Sequence, residues 1–77
     1  MARFSVRVVR SNGEPAQDVG VMTSYHGVLG GHDEKRTDGN GWVEFHNHDE
    51  NLGTIWVHGE EMGEHSLADG KTYSFTL

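Results

Sequence analysis

Apolar and polar residues alternate with a period of two along most of this chain. Between residues 3 and 10, Phe4, Val6 and Val8 fall on one side and Ser5, Arg7 and Val9 on the other, the pattern of a strand with one buried face. The pattern returns at Val19 to Tyr25, where Val19, Val21, Thr23 and Tyr25 share a side and Met22, Ser24 and His26 take the opposite one. Over residues 42–46, Val43 and Phe45 read as inward, Trp42, Glu44 and His46 as outward. Over residues 53–58, Ile55 and Val57 read as inward, Thr54, Trp56 and His58 as outward. The last segment opposes Tyr73, Phe75 and Leu77 to Thr72, Ser74 and Thr76. No stretch of helical length carries a 3.6-residue period.

Turn residues separate these segments. Asn12-Gly13 precedes the only proline, Pro15, and Asp38-Gly39-Asn40-Gly41 and Asp69-Gly70 follow later; all supply residues that tolerate positive φ. His32 to Thr37 predicts a short polar edge strand, its charges discouraging foreign strands, paired through the Asp38–Gly41 turn to residues 42–46. Residues 59–64 read as an acidic turn, with a short strand near Met62–Leu67. Residues 27–31 form a glycine-rich connection and 47–51 a polar loop. Strands at this spacing indicate one all-β domain over residues 1–77, an antiparallel sandwich or barrel.

Composition agrees. Hydrophobic residues are 34% of the chain and 11 of 77 residues are glycine, which suits short strands and many turns. Two Trp, three Phe and two Tyr argue against disorder, which is poor in aromatics. Seventy-seven residues lie near the lower limit for a self-sustaining core, and no cysteine is present to staple it. Thiolate chemistry is thereby excluded.

Six Lys and Arg stand against twelve Asp and Glu, a net charge of −6. Nucleic acid and anionic membranes are therefore not expected partners; Arg3, Arg7 and Arg10 make only a weak basic patch. No apolar run approaches the ~20 residues of a membrane helix, and Met1-Ala2-Arg3-Phe4 lacks a signal-peptide core. The chain as written is expected in the cytoplasm.

The succession Asn12-Gly13-Glu14-Pro15, Val19 to Tyr25, Thr37-Asp38-Gly39-Asn40-Gly41-Trp42-Val43-Glu44-Phe45 and Gly53-Thr54-Ile55-Trp56-Val57 resembles the carboxypeptidase regulatory-like and transthyretin-like modules. These are cousins of bacterial immunoglobulin-like and Cna-B-type domains. The resemblance runs over nearly the whole chain through short turn-and-strand motifs. It implies a small antiparallel Greek-key β-sandwich of about 6–7 strands, without catalysis, serving as spacer, stabiliser or binding surface. Isopeptide-forming members carry a Lys on the first strand; residues 3–10 hold Arg and no Lys, so no internal isopeptide bond is expected.

Three constellations bear on chemistry. His46-Asn47-His48 is an H-x-H pair, which on a strand sends both imidazoles to one face and offers two ligands to zinc or another divalent metal, with Asp49 or Glu50 as a further donor. Trp42 and Trp56 are both outward; on neighbouring strands they would form an aromatic platform with Glu44 and His58 beside them, and Trp is enriched at interaction hot spots. Asp38-Gly39-Asn40-Gly41 fails as a calcium loop, because Arg36 and Asn47 fall where acidic ligands belong. For catalysis, Ser24 and His26 share a face but nothing supplies an acid or an oxyanion hole. The expectation is a non-enzymatic module without cofactor, binding a protein partner or a second copy of itself through Trp42, Glu44, Trp56 and His58. The alternative is a metal binder centred on His46 and His48, and a carbohydrate-binding module is a third reading.

Overall fold

Seven strands form two sheets in the computed structural model, which describes residues 2–25, 31–47 and 52–77. They are β1 (Ala2–Val9), β2 (Gly20–Tyr25), β3 (His32–Arg36), β4 (Trp42–Asn47), β5 (Leu52–Val57), β6 (Glu60–Ser66) and β7 (Thr72–Thr76). One sheet has the order β4-β1-β7, the other β3-β2-β5-β6. The fold is an all-β sandwich of Greek-key type, in which the consecutive pairs β2–β3 and β5–β6 are joined to strands distant in sequence, β2 to β5 in one sheet and β1 to β4 and β7 in the other.

The alternation in the sequence becomes the core. Phe4, Val6 and Val8 of β1 and Val43 and Phe45 of β4 face Val21 of β2 and Ile55 and Val57 of β5, all of them buried. Phe4 lies opposite Phe45 in the register, their rings stacked at 5.6 Å between centroids. Leu67, beyond β6, is fully buried in the same cluster.

Four expectations need correction. The Asp38–Gly41 turn is not a hairpin joining β3 to β4: β3 pairs with β2, β4 pairs with β1, and the turn carries the chain from one sheet to the other. Of its four residues only Gly41 (φ 79°) takes positive φ, and the turn is held instead by Asp38 Oδ1, which accepts from Asn40 N at 2.8 Å and Trp42 N at 3.0 Å. What diverts the chain is Thr37, whose backbone bonds Asp18 N and Val19 O at 3.0 Å each. Second, β5 is not beside β4 but between β2 and β6. Third, the acidic stretch from Glu60 is a full strand, reached through a two-residue turn in which His58 (φ 52°) and Gly59 (φ 82°) are both left-handed, as a type I′ hairpin requires. Fourth, β7 runs parallel to β1, not antiparallel.

Candidate functional site

The outward residues of β4 and β5 were expected on one surface. They lie on opposite sides of the molecule, because β4 belongs to the three-stranded sheet and β5 to the four-stranded one. Trp42 and Glu44 face away from the core on the first; Trp56 and His58 belong to the second. No platform shared by Trp42 and Trp56 exists, and each side must be considered alone.

On the three-stranded sheet, Trp42 is 39% exposed. It stands opposite Arg7 in the register, and the Arg7 guanidinium lies 5.8 Å from its ring centroid, a cation–π contact at an accessible site. Further along, Glu44 Oε1 is 3.5 Å from Arg3 Nε and 3.6 Å from His46 Nε2, and Asp69 Oδ1 accepts from Arg3 N at 2.8 Å. His46 therefore has a carboxylate beside it, but one already shared with a guanidinium, a cation where a metal site needs room for its own. Among the described residues no three His, Asp or Glu side chains converge. His48, Asp49 and Glu50 lie outside the described residues, as do His26 and the Val28-Leu29 pair.

The four-stranded sheet offers the better-formed site. Trp56 on β5 is half-buried and directly opposite Met22 on β2, and Met22 is opposite Glu34 on β3. Trp56 and Met22 form the apolar floor of a cleft of about 730 Å³, ringed by Arg10, Glu34, Arg36 and His58. Arg36 Nη1 donates to the Asp18 carbonyl at 3.1 Å and lies 3.7 Å from its carboxylate, so one cation of the rim is held in place. His58 N donates to Gly20 O at 2.8 Å, which fixes the hairpin turn against the end of β2. Asp18 (φ 59°) and His58 (φ 52°), both at this cleft, are the two non-glycine residues with positive φ among those described. The His58 conformation is the one its two-residue turn requires, and aspartate enters this region more readily than most residues.

No protein-family model matches this chain, and comparison with curated proteins and with solved structures returns no match. The site is thus to be read from its own residues. Sequence reasoning singled out Trp56 and His58 but not Arg10, Met22, Glu34 or Arg36. The available signal was that Met22 sits on the polar side of an otherwise regular strand. What hid the rest was pairing: only the β3-β2-β5 order brings Glu34, Met22 and Trp56 into one row.

Proposed function

We propose that this domain is a non-enzymatic binding module, and that it takes a segment of a partner protein into the cleft on the outer side of the four-stranded sheet. The observation that carries the reading is Trp56: a half-buried indole on a sheet face that no third layer of described residues covers. A tryptophan flanked by a flexible methionine is the usual anchor of a protein interface, where large apolar area meets adaptable packing. The rim defines the partner's chemistry. Arg36 is engaged with Asp18, whereas Arg10 and His58 are available for a carboxylate. The matching segment places an apolar side chain on Trp56 and Met22, with an acidic residue next to it. Resemblance to carboxypeptidase regulatory-like and transthyretin-like modules, which lack catalysis, points the same way.

The test is a peptide selection against the wild-type domain, counter-selected on Trp56→Ala, followed by NMR mapping of the winners. Expected are peptides pairing an apolar with an acidic residue, which shift the Trp56 indole, Met22 methyl and His58 signals and bind Trp56→Ala at least tenfold more weakly. Trp42→Ala should bind like wild type. Peptides that ignore Trp56, or map to the Trp42 side, overturn the proposal. So does a neutral oligosaccharide that shifts the same signals when no peptide does.

A further inference from the structure

Each sheet of the sandwich ends in two edge strands, and an unprotected edge is a template for another strand. Three of the four edges are protected. Strand β3 is His32-Asp33-Glu34-Lys35-Arg36, every residue exposed. Strand β6 carries Glu60, Glu61 and Glu64 and is broken by a register shift opposite Thr54 and Trp56, with Gly63 at φ 92°. On β4, Gly41 O bonds Val8 N, so by alternation Trp42 and Glu44 direct their backbone groups outward. Trp42 N and O are bonded to Asp38 and Lys35 Nζ donates to Glu44 O at 3.0 Å, and toward His46, the third outward residue, the strand carries the Glu44–Arg3 charge pair, so this edge is covered in its first half and charged in its second.

Strand β7 has none of these devices. Thr72-Tyr73-Ser74-Phe75-Thr76 contains no charge, no proline and no bulge, and its parallel register with β1 is unbroken from Ser5↔Thr72 to Val9↔Thr76. Ser5 N donates to Lys71 O at 3.0 Å and Leu77 N to Val9 O at 2.8 Å. The odd-numbered residues therefore turn their backbone groups toward β1. Thr72, Ser74 and Thr76 turn theirs toward the open side, and no described strand pairs with them. His65 of the facing sheet packs against the Tyr73 and Phe75 rings, at 5.2 and 5.7 Å between centroids, and keeps the strand in place from the inner side.

The order of residues identifies the occupant. Hydroxyl, aromatic, hydroxyl, aromatic, hydroxyl reads the same in both directions. We infer that β7 pairs with β7 of a second copy of this chain, antiparallel about a two-fold axis at Ser74. In that register Thr72 faces Thr76, Ser74 faces its own copy, and every outward N–H and C=O of these three residues is used, since all three pairs are hydrogen-bonded ones. On the inner side Tyr73 meets Phe75 of the other copy. Hydroxyl and aromatic cross-strand pairs both stabilise a sheet, and no like charges oppose each other within the strand. A second copy satisfies the isologous rule of a two-fold interface, that each residue contact its own counterpart set. The product is a continuous six-stranded sheet. This inference does not depend on the Trp56 cleft.

The experiment is light scattering on a sizing column over a range of concentrations. Wild type is expected to approach twice the 8.6 kDa chain mass as concentration rises. Ser74→Lys and Ser74→Asp, at an exposed side chain whose backbone β1 does not use, are each expected to halve that mass while keeping the wild-type circular dichroism. An equal mixture of the two is expected to restore the doubled mass, because only a self-facing position puts lysine opposite aspartate. As a second measurement, Ser74→Cys is expected to form a disulfide-linked dimer. Its Cα atoms would lie about 5.5 Å apart in a hydrogen-bonded pair, within the range a disulfide spans, and the chain has no other cysteine. A wild type that stays monomeric into the millimolar range overturns the inference. So does a dimer that survives both charge variants, or a mixture that fails to recover it.

Discussion

Thr37 is the residue whose loss should tell most about this fold. Its hydroxyl donates to Ala16 O at 2.6 Å and accepts from Val19 N at 2.9 Å. Thr37 is itself buried, at 5% exposure, Ala16 is at 0% and Val19 at 8%. One side chain thus satisfies two groups that water does not reach, at the point where the chain passes from β3 to the other sheet. Thr37→Val keeps the volume and removes both bonds. Each buried group left unpaired costs about 1–3 kcal/mol, so about 2–4 kcal/mol in total after local adjustment. A core of this size supplies only about 3–5 kcal/mol, so the variant should keep only about 1 kcal/mol and have roughly one molecule in six unfolded in buffer. Thr37→Ser keeps the hydroxyl and deletes one methyl, a loss of about 1 kcal/mol. Urea unfolding followed by tryptophan fluorescence compares them, with one indole on each sheet as reporter. The ordering wild type, then serine, then valine is the prediction. A valine variant as stable as the serine variant would show that the crossover is held by packing alone.

Gly41→Ala is expected to be among the most damaging single changes. Gly41 has φ 79°, and an added methyl would collide with Val8 O and come within 3.2 Å of Ala16 N, both backbone atoms that cannot swing aside; a soluble variant with wild-type unfolding midpoint would refute this. The Tyr25 phenol is pushed up from 10.0 to about 12, first by burial and then by Asp33, whose carboxylate accepts its proton at 2.8 Å. The folded chain therefore keeps this proton where the unfolded chain loses it, so the stability from Tyr25 is complete below about pH 10 and is lost as pH rises through about 12. Absorbance titration of the phenolate should show a transition near 12, which Asp33→Asn lowers only in part because burial is the larger cause. The absence of a transition there would refute the assignment.

The strands were legible where alternation is strong: Phe4, Val6 and Val8, Val43 and Phe45, and Ile55 and Val57 all lie in the core on the sides their spacing required. Pairing was not legible, because turn residues report that the chain reverses and not which strand it reverses onto. Asp38-Gly39-Asn40-Gly41 carries the strongest hairpin signal in the chain and yet spans the two sheets, since Thr37 and Gly41 bond to the β1–β2 connection and to β1 respectively. The true two-residue hairpin hides at His58-Gly59, where histidine takes a conformation more often given to asparagine or glycine. That reversal of roles separated Trp42 from Trp56 and dissolved the expected shared face. It also assembled the Trp56, Met22 and Glu34 row, which no local pattern contains.

The two proposed surfaces have a joint consequence set by symmetry. A two-fold axis relating antiparallel strands within one sheet stands perpendicular to that sheet. Pairing through β7 therefore places both four-stranded sheets on the same side of the composite six-stranded one. Their Trp56 clefts, on the outer faces, then open in the same general direction. A partner carrying two matching segments would engage both, the second at high effective concentration, and avidity would exceed either single affinity without any new contact. Breaking the β7 pair with Ser74→Asp should then leave binding of a single peptide unchanged and weaken binding of a tandem peptide. Equal losses for both would mean that the edge and the cleft are not independent, and that the variant had disturbed the fold of the cleft itself.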